Sequence, residues 1–208
     1  MADSGSPPPA LAAPALGQRV HVWGNSSSGK STLAAQLGEA LQVPVVELDA
    51  LNWLPNWVGL NATDPDRLRC RIREATAGDC WIVAGSYTDY CQQTFWPRLE
   101  TLIWLDLPRH LLLRRMLVRS WRRYRSGELL WGTNRESFWG HFAVWNREQS
   151  LLWWIWTQHA RKRRSLLRVM SDPSWAHIRV IRLTSAAEVE AFRDATLRTT
   201  ASGASQPR

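Results

Sequence analysis

The chain has 208 residues, 45% of them hydrophobic, and a formal net charge of +8. That length suits one globular domain with short tails, and the charge predicts a surface that attracts nucleotides, phosphorylated metabolites or nucleic acid. The most apolar later stretch, 151–156, is too short to cross a bilayer. Three cysteines without metal-ligand spacing, and a start that lacks the pattern of a signal peptide, predict a cytoplasmic protein with reduced thiols.

Composition also predicts the ends of the domain. Residues 1–17 are rich in Pro, Ala, Ser and Gly, and residues 199–208 have a similar polar, small-residue character. Such segments bury too little apolar surface to compensate for the entropy of ordering. We therefore expect disordered tails at 1–17 and 199–208, and one domain over 18–198.

Between these tails the hydrophobic pattern predicts strands that alternate with helices. In chain order we expect a strand at 19–23, a helix at 30–41, a strand at 43–48, a helix at 66–77, strands at 81–84 and 101–105, a helix at 110–124, one or two helices within 137–170, a strand at 178–183 and a helix from 186 to about 197. This alternation predicts an α/β fold in which a parallel sheet is covered by helices on both faces. Ligands of such sheets bind outside the carboxyl ends of the strands.

The segment between the first strand and the first helix matches the phosphate-binding pattern G-x-x-x-x-G-K-[ST] in full. Successive amides of such a loop and the start of the following helix bind phosphates, and we expect Gly24 and Gly29 to permit backbone angles that other residues avoid. Lys30 is expected to bind the β and γ phosphates, and the Ser31 hydroxyl to bind Mg²⁺. The predicted nucleotide-binding residues are Gly24, Asn25, Ser26, Ser27, Ser28, Gly29, Lys30, Ser31 and Thr32.

Over residues 19–192 the sequence resembles the adenylate-kinase-like P-loop proteins, in particular the small branch labelled DNA topology modulation protein or adenylate kinase. The segments that carry the resemblance are 24–32 (Gly-Asn-Ser-Ser-Ser-Gly-Lys-Ser-Thr), 48–53 (Leu-Asp-Ala-Leu-Asn-Trp), 81–87 (Trp-Ile-Val-Ala-Gly-Ser-Tyr), 103–108 (Ile-Trp-Leu-Asp-Leu-Pro), 131–137 (Trp-Gly-Thr-Asn-Arg-Glu-Ser) and 183–189 (Leu-Thr-Ser-Ala-Ala-Glu-Val). The resemblance implies a five-stranded parallel sheet in a three-layer P-loop sandwich, a helical lid at about 120–170, ATP as phosphoryl donor and Mg²⁺ as cofactor.

Three strand ends are expected beside the phosphate loop, and two of them carry an aspartate. Asp49 follows the second strand, where related small-molecule kinases place an acid that orients the acceptor or a metal-bound water, so it is a candidate catalytic residue and a candidate Mg²⁺ ligand. Relatives commonly carry Asp-Gly after the third strand, whereas this chain has Ala84-Gly85, so one carboxylate that would anchor metal-bound water is missing. Asp106, after the fourth strand, is interpreted mainly as a turn-stabilising aspartate.

Arg115 and Arg119 lie four residues apart and therefore on one face of a helix. In the family that the sequence resembles, arginines at matching positions reach the phosphates from the base of the lid. Both are candidate catalytic residues, with Arg119 as the first choice for stabilising the transferring charge. Arg122 and Arg123 follow as weaker candidates, and Arg135 is weaker still.

Tryptophans and a second basic run leave alternatives open. Trp53 and Trp57 follow Asp49 and are interpreted as loop packing, or alternatively as a surface that stacks on an acceptor ring. Residues 161–164 (Arg-Lys-Arg-Arg) read most simply as a solvated face, or alternatively as a binding site for nucleic acid or nucleotide phosphates. The adenine of the donor is expected near Thr184 and Ser185. Four further tryptophans are interpreted as core or helix contacts: Trp145, Trp153, Trp154 and Trp156.

Two functions fit these features. The first is an ATP-dependent kinase acting on a nucleotide or a small metabolite, and this is the favoured hypothesis because the basic runs lie where a phosphate-clamping lid would be. The alternative is a nucleic-acid-associated ATP-binding protein with little kinase activity. Neither the Asn-Lys-x-Asp motif that reads guanine nor an apolar run ending in Asp-Asp or Asp-Glu is present, which argues against a GTPase and a motor ATPase.

Overall fold

A parallel sheet between two layers of helices is the framework of the molecule. The computed structural model of the chain describes residues 16–126, 129–130, 134–135 and 151–204. In chain order its elements are β1 (Arg19–Gly24), α1 (Lys30–Leu41), β2 (Val45–Glu47), α2 (Leu48–Asn52), β3 (Trp53–Leu54), β4 (Val58–Gly59), α3 (Leu60–Thr63), α4 (Pro65–Ala75), β5 (Trp81–Ala84), α5 (Thr88–Thr94), β6 (Thr101–Leu105), α6 (Arg109–Ser126), β7 (Leu129–Leu130), β8 (Asn134–Arg135), α7 (Leu151–Met170), β9 (Arg179–Leu183) and α8 (Ala186–Ala204). Short 3₁₀ turns occupy Pro55–Trp57, Trp96–Arg98 and Pro173–Trp175.

The central sheet has five strands in the order β2-β5-β1-β6-β9, and every neighbouring pair is parallel. In this register Val22 of β1 lies between Ala84 of β5 and Ile103 of β6. The predicted α/β sandwich with a five-stranded parallel sheet is thus confirmed. Because β1 is the middle strand, the loop that follows it opens at the centre of the carboxyl edge.

The two faces of the sheet carry separate hydrophobic cores. Along β1, Val20 and Val22 contribute to the core that includes α1, α6 and α8, whereas Trp23 contributes to the core that includes α4, α5 and α7. The alternation follows from the two-residue period of a strand. The second core is rich in aromatic residues, among them Trp81 and Trp96, which are almost completely buried.

Several element boundaries differ from those expected. The second strand ends at Glu47 instead of continuing to 48, because Leu48 begins the short helix α2 and is fully buried. The last helix runs past the expected end near Leu197 to Ala204, so the segment predicted as a tail from Thr199 begins as helix. At the other end Leu16 packs against the α1 side core. Residues 1–15 and most of the expected lid, 136–150, lie outside the described residues.

His21 is a buried polar residue in the middle of β1. Its Nδ1 accepts a hydrogen bond from Trp96 Nε1 at 3.2 Å, and its Nε2 lies 3.2 Å from the carbonyl oxygen of Gly85. An indole N–H only donates and a carbonyl only accepts, so the neutral imidazole must carry its proton on Nε2. Burial lowers the pKa of His21 from 6.5 to about 3, and this histidine ties β1 to the loop that follows β5.

Burial of His21 makes the stability of the fold sensitive to acid. Between pH 6.5 and pH 3 the unfolded chain binds a proton at this residue while the folded chain does not, so the free energy of unfolding falls as the pH falls. From pH 7 to pH 5 this one group should lower it by about 2 kcal/mol. The His21→Gln variant should lose that part of the decrease, which urea unfolding at the two pH values would measure.

The matched control is His110→Gln, because His110 is exposed on α6. In the His110→Gln variant the free energy of unfolding should decrease between pH 7 and pH 5 by as much as in the unmodified chain. An equally large decrease in the His21→Gln variant would contradict the assigned protonation state.

Candidate functional site

The loop from Gly24 to Lys30 joins β1 to α1 and has the backbone of a phosphate cradle. Gly29 has φ +97° and Ser27 has φ +62°, so both lie in the left-handed region that helps successive amides converge. Gly24 differs from our expectation, because it has no positive φ. A Cβ at Gly24 would lie 2.7 Å from Ser28 Oγ and 2.9 Å from the carbonyl oxygen of Leu105, so glycine is required there for space.

Polar groups inside this loop fit a bound phosphate chain. The buried hydroxyls of Ser27 and Ser28 have no hydrogen-bond partner among the described residues. The helix α1 also begins here, with amide groups that have no partner within the helix. Lys30 Nζ donates to the carbonyl oxygen of Asn25 at 3.1 Å and so lies over the loop. A phosphate would satisfy these donors together, as the start of a helix favours anions.

Lys30 lies in an electrostatic field with opposing contributions. Burial lowers its pKa from 10.5 to about 8; Asp49 opposes that decrease, whereas Lys162 and Arg119 add to it. Glu47, at the end of β2, opposes the decrease more weakly. Two charged candidates from the sequence, Asp49 and Arg119, therefore act on this lysine. Lys162 and Glu47, which the sequence does not single out, act on it as well.

Asp49 lies on α2, one residue beyond the start of that helix, and is half-buried. Its Oδ1 accepts a hydrogen bond from the Tyr87 hydroxyl at 2.8 Å. Burial, together with the nearby negative charge of Asp49, raises the pKa of Tyr87, so this phenol stays neutral and keeps donating. Tyr87 thus orients the carboxylate, and the segment after β5 contributes to the site although it has Ala84 where relatives commonly carry an acid.

The two arginines of α6 approach the loop from the β6 side. Arg115 donates from Nη1 to the carbonyl oxygen of Ser28 at 3.0 Å, which places its guanidinium against the phosphate loop. Arg119 lies one turn further along α6 and is close enough to lower the pKa of Lys30. Further along the same helix Arg122 is exposed and Arg123 half-buried.

Lys162 of α7 belongs to the basic run 161–164, which the sequence reads as a solvated face or alternatively as a binding site for nucleic acid or nucleotide phosphates, without singling out this lysine. It is half-buried, and its Nζ donates to Ser86 Oγ at 3.2 Å, beside Asp49. A signal was available, because His159, Lys162, Leu166 and Val169 follow a helical spacing of three or four residues and the last two pack into the core. Read by this period, Lys162 faces inward while Arg161, Arg163 and Arg164 are exposed.

Asp106 does not join the other acids around Lys30. Its side chain is only 5% exposed and accepts hydrogen bonds from Arg163 Nε at 3.0 Å and Arg182 Nε at 2.8 Å. This carboxylate is therefore committed to an ion pair that joins β6, β9 and α7. Ala84 is buried in the α1 side core.

The remaining sequence candidates lie at the margins. Trp53 and Trp57 pack edge to face at 5.6 Å between ring centres, and Trp57 is 40% exposed. The buried Asn134 of β8 makes two hydrogen bonds with the β3–β4 hairpin. Its Oδ1 accepts from the Trp57 amide at 2.9 Å, and its Nδ2 donates to the Leu54 carbonyl oxygen at 3.1 Å. Thr184 and Ser185 are engaged by Glu188 at the start of α8. Trp145 lies outside the described residues, and the structure describes only the backbone at four other candidates: Arg135, Trp153, Trp154 and Trp156.

Known proteins resemble this chain at low sequence identity. No protein-family model matches the chain. An uncharacterised protein of Bacillus subtilis strain 168, YqaC, is 25% identical over 122 residues, which is 57% of this chain and 66% of that relative, just under two thirds of its length.

Solved structures that resemble the chain include three kinases by their titles. A gluconokinase from Sinorhizobium meliloti 1021 has 20% identity and a TM-score of 0.46, covering 89% of this chain and 93% of its own. A shikimate kinase from Acinetobacter baumannii has 16% identity and a TM-score of 0.46, covering 91% of this chain and 96% of its own. A deoxyadenosine kinase from M. mycoides has 10% identity and a TM-score of 0.44, covering 88% of this chain and 99% of its own. Because these scores are below 0.5, the fold rests on the strand order and phosphate loop of this chain.

The tight packing at Gly24 leads to a testable prediction. In Gly24→Ala the new methyl group would displace Ser28 or the main chain of β6, and overpacking of this kind costs about 1–3 kcal/mol. We expect affinity for ATP with Mg²⁺ to fall about tenfold or more, measured by titration calorimetry. Gly78→Ala is the matched control, since a Cβ at Gly78 meets no heavy atom within 4 Å. Equal ATP affinity in the two variants would contradict the assignment of this loop.

Proposed function

We propose that the protein is a P-loop phosphotransferase that moves the γ-phosphate of ATP to a nucleotide or another small acceptor. The observation that carries this proposal is the position of Asp49, beside Lys30 and hydrogen-bonded by Tyr87. A half-buried carboxylate next to the phosphate-binding lysine suits a kinase, because the acceptor must be oriented towards the γ-phosphorus.

The donor would bind along the phosphate loop. The amides of residues 24–32 and the Lys30 ammonium hold the triphosphate, and Arg115 and Arg119 approach from α6. Lys30 and the arginines balance the negative charge that spreads over the phosphoryl oxygens during transfer. This arrangement supports the roles that the sequence suggests for all three side chains.

Magnesium fits the oxygen donors of this site. The Ser31 hydroxyl is exposed at the start of α1 and the Asp49 carboxylate is half-buried nearby; both are hard oxygen ligands that Mg²⁺ accepts. The described residues contain no cluster of three or more His, Cys, Asp and Glu for a metal, so most ligands would be phosphate oxygens and water. When bound, Mg²⁺ neutralises charge on the β and γ phosphates.

The transfer step can be written in terms of this chain's residues. The acceptor oxygen forms a bond to the γ-phosphorus, the bond from that phosphorus to the β–γ bridging oxygen breaks, and ADP leaves. Asp49 orients the acceptor hydroxyl and takes its proton as the new bond to phosphorus forms. The strand order places Asp49 and the loop after β5 on one side of the phosphate loop, so the acceptor lies on that side.

The resemblance to the small branch labelled DNA topology modulation protein or adenylate kinase supports the same reaction class. It also keeps a nucleic-acid-associated ATP-binding function as an outcome of the experiment. Nucleic acid would contact the exposed arginines of α7. Binding of that kind would weaken steeply as the salt concentration rises. Among the described residues no helix is both long and apolar enough to span a membrane.

The direct test is a coupled assay for ADP production with ATP, Mg²⁺ and a panel of nucleosides, nucleoside monophosphates and small hydroxyl metabolites. With the accepted substrate, Asp49→Asn should lower kcat about 100-fold or more, because the acid acts on the acceptor in the transfer step. Lys30→Ala should abolish activity and weaken ATP binding.

The matched control is Asp66→Asn, which removes an exposed carboxylate on α4 and should leave kcat unchanged. No turnover with any acceptor, combined with salt-sensitive DNA binding, would favour the nucleic-acid alternative. Full activity of Asp49→Asn would remove the basis for the proposed acceptor site.

The pKa of Lys30 adds a second prediction. In the free protein this pKa is about 8 because of burial, whereas a bound triphosphate favours the charged ammonium. ATP affinity should therefore weaken as the pH rises through 8, by about fivefold between pH 8 and pH 9 for one titrating group. Lys30→Met should bind ATP more weakly and without this fivefold change, as calorimetry at both pH values would measure. A slope that persists in Lys30→Met would assign it to another group.

A further inference from the structure

We propose that Lys162 is a phosphate-binding residue of the transfer step, and that Asp106 positions it through Arg163. This inference rests on the proposed function, which it extends to a helix that the sequence interpretation read as a solvated face. Lys162 would contact the transferring phosphoryl group, so it is a catalytic residue in the strict sense. Asp106 touches no substrate and is a positioning residue.

The helix α7 is fixed above the carboxyl end of β6 by two adjacent contacts. Asp106 accepts hydrogen bonds from Arg163, and His159 Nε2 lies 3.0 Å from the carbonyl oxygen of Leu107, to which it donates. Asp106 is nearly fully buried and also accepts from Arg182 of β9, which holds the carboxylate in place. Four residues separate His159 from Arg163, so the contacts fix one turn of the helix.

Lys162 lies within that turn and points to the opposite side of the phosphate loop. The strand order is β5-β1-β6, so the loop after β1 lies between the end of β5 and the end of β6. Arg163 contacts the β6 side, whereas Lys162 Nζ contacts Ser86 after β5 at 3.2 Å. The two neighbouring side chains therefore reach to either side of the loop, and the Lys162 ammonium lies where donor and acceptor meet.

The charges around Lys162 point to an anion as its occupant. Burial lowers the pKa of Lys162 and the charge of Asp49 opposes that decrease; Lys162 and Arg119 in turn both lower the pKa of Lys30. Buried like charges repel one another and lose hydration, which makes them costly unless an opposite charge joins them. Asp49 balances part of this charge, and the ammonium groups of Lys30 and Lys162 would both attract a γ-phosphate entering between them.

A purely structural role is the competing explanation. In that case the hydrogen bond to Ser86 would serve only to tie α7 to the loop after β5. Glutamine can donate a hydrogen bond but carries no charge, whereas arginine keeps the charge. Comparison of Lys162→Gln with Lys162→Arg therefore separates a tie from a phosphate contact.

The first experiment measures Lys162 in the full chain. With the acceptor found by the panel, Lys162→Met should lower kcat about 100-fold and change the KM for ATP by less than about threefold, because the contact strengthens during transfer. Binding of ADP with Mg²⁺ and aluminium fluoride, a mimic of the transferring phosphoryl group, should weaken by a similar factor while ADP alone binds normally. Lys162→Arg should recover part of the loss and Lys162→Gln none.

Arg161→Met and Arg164→Met are the matched controls, since they remove the same charge from exposed positions on the same turn of α7. Both should retain kcat and ADP–aluminium fluoride binding. Full recovery in Lys162→Gln, or equal losses in these two controls, would overturn the proposed phosphate contact.

The second experiment is a double-mutant cycle for Asp106. Asp106→Asn should lower kcat about tenfold, with little change in the KM for ATP, because Lys162 is no longer held in place. In the Lys162→Met background the same substitution should cause no further loss of kcat. Asp79→Asn, which removes a carboxylate paired with Arg98 away from the site, should be neutral. Additive losses in the double variant would overturn the positioning role.

The two levels of the proposal fail in different ways. If Lys30→Ala abolishes transfer and Lys162→Met does not lower it, only the role of Lys162 is wrong. If no acceptor supports turnover and ADP with aluminium fluoride does not bind, the phosphotransferase function is wrong and the role of Lys162 falls with it.

Discussion

The interaction between the Asp49 carboxylate and the lysines around it is the constraint on which the candidate site depends. The P-loop, α6 and α7 bring Lys30, Arg119 and Lys162 towards one point, and without phosphate these charges repel. Asp49 supplies the opposite charge, and the Tyr87 hydroxyl fixes its direction. The fold can therefore keep a strongly cationic site in the absence of nucleotide. The same carboxylate is the group proposed to orient the acceptor hydroxyl.

The support of this acid extends into the core. Tyr87 follows Gly85, and the Gly85 carbonyl accepts a hydrogen bond from the buried His21 in the central strand. His21 is in turn held by Trp96 of the aromatic core. A continuous set of hydrogen bonds thus connects the tryptophan-rich face of the sheet with the segment that orients Asp49. Among the described tryptophans, Trp96 thus supports the site through packing and one hydrogen bond.

Much of this arrangement could be predicted from the sequence, because it depends on local patterns. The strand at Trp81–Ala84, the helix that begins at Lys30 and the parallel sheet follow from hydrophobic periodicity and the phosphate-loop motif. Asp49 was found as a candidate, although it lies in a short helix instead of at a strand end. That helix is set by burial of Leu48, a tertiary effect that a propensity for strand does not reveal.

The parts that could not be predicted depend on contacts between distant residues. Lys162 belongs to a run of basic residues, and only the packing of α7 selects which of them enters the site. The motif predicts a glycine at position 24, but the structure favours glycine there through the closeness of Ser28 and β6 and not through an unusual φ. Likewise Asp106 reads as a turn residue until Arg163 and Arg182 are seen to converge on it.

Arg182 has a further consequence for how the molecule behaves in a crowded solution. Within the described part of the chain β9 pairs only with β6, so it is an edge strand whose outer backbone groups could template pairing with another chain. Arg182 lies 4.8 Å above the ring of Trp104, and Arg179 and Arg182 are both exposed on this strand. Charged side chains of this kind oppose edge-to-edge association. Arg182, which holds Asp106, therefore also opposes aggregation through this edge of the sheet. One residue thus contributes both to the packing beside the site and to solubility.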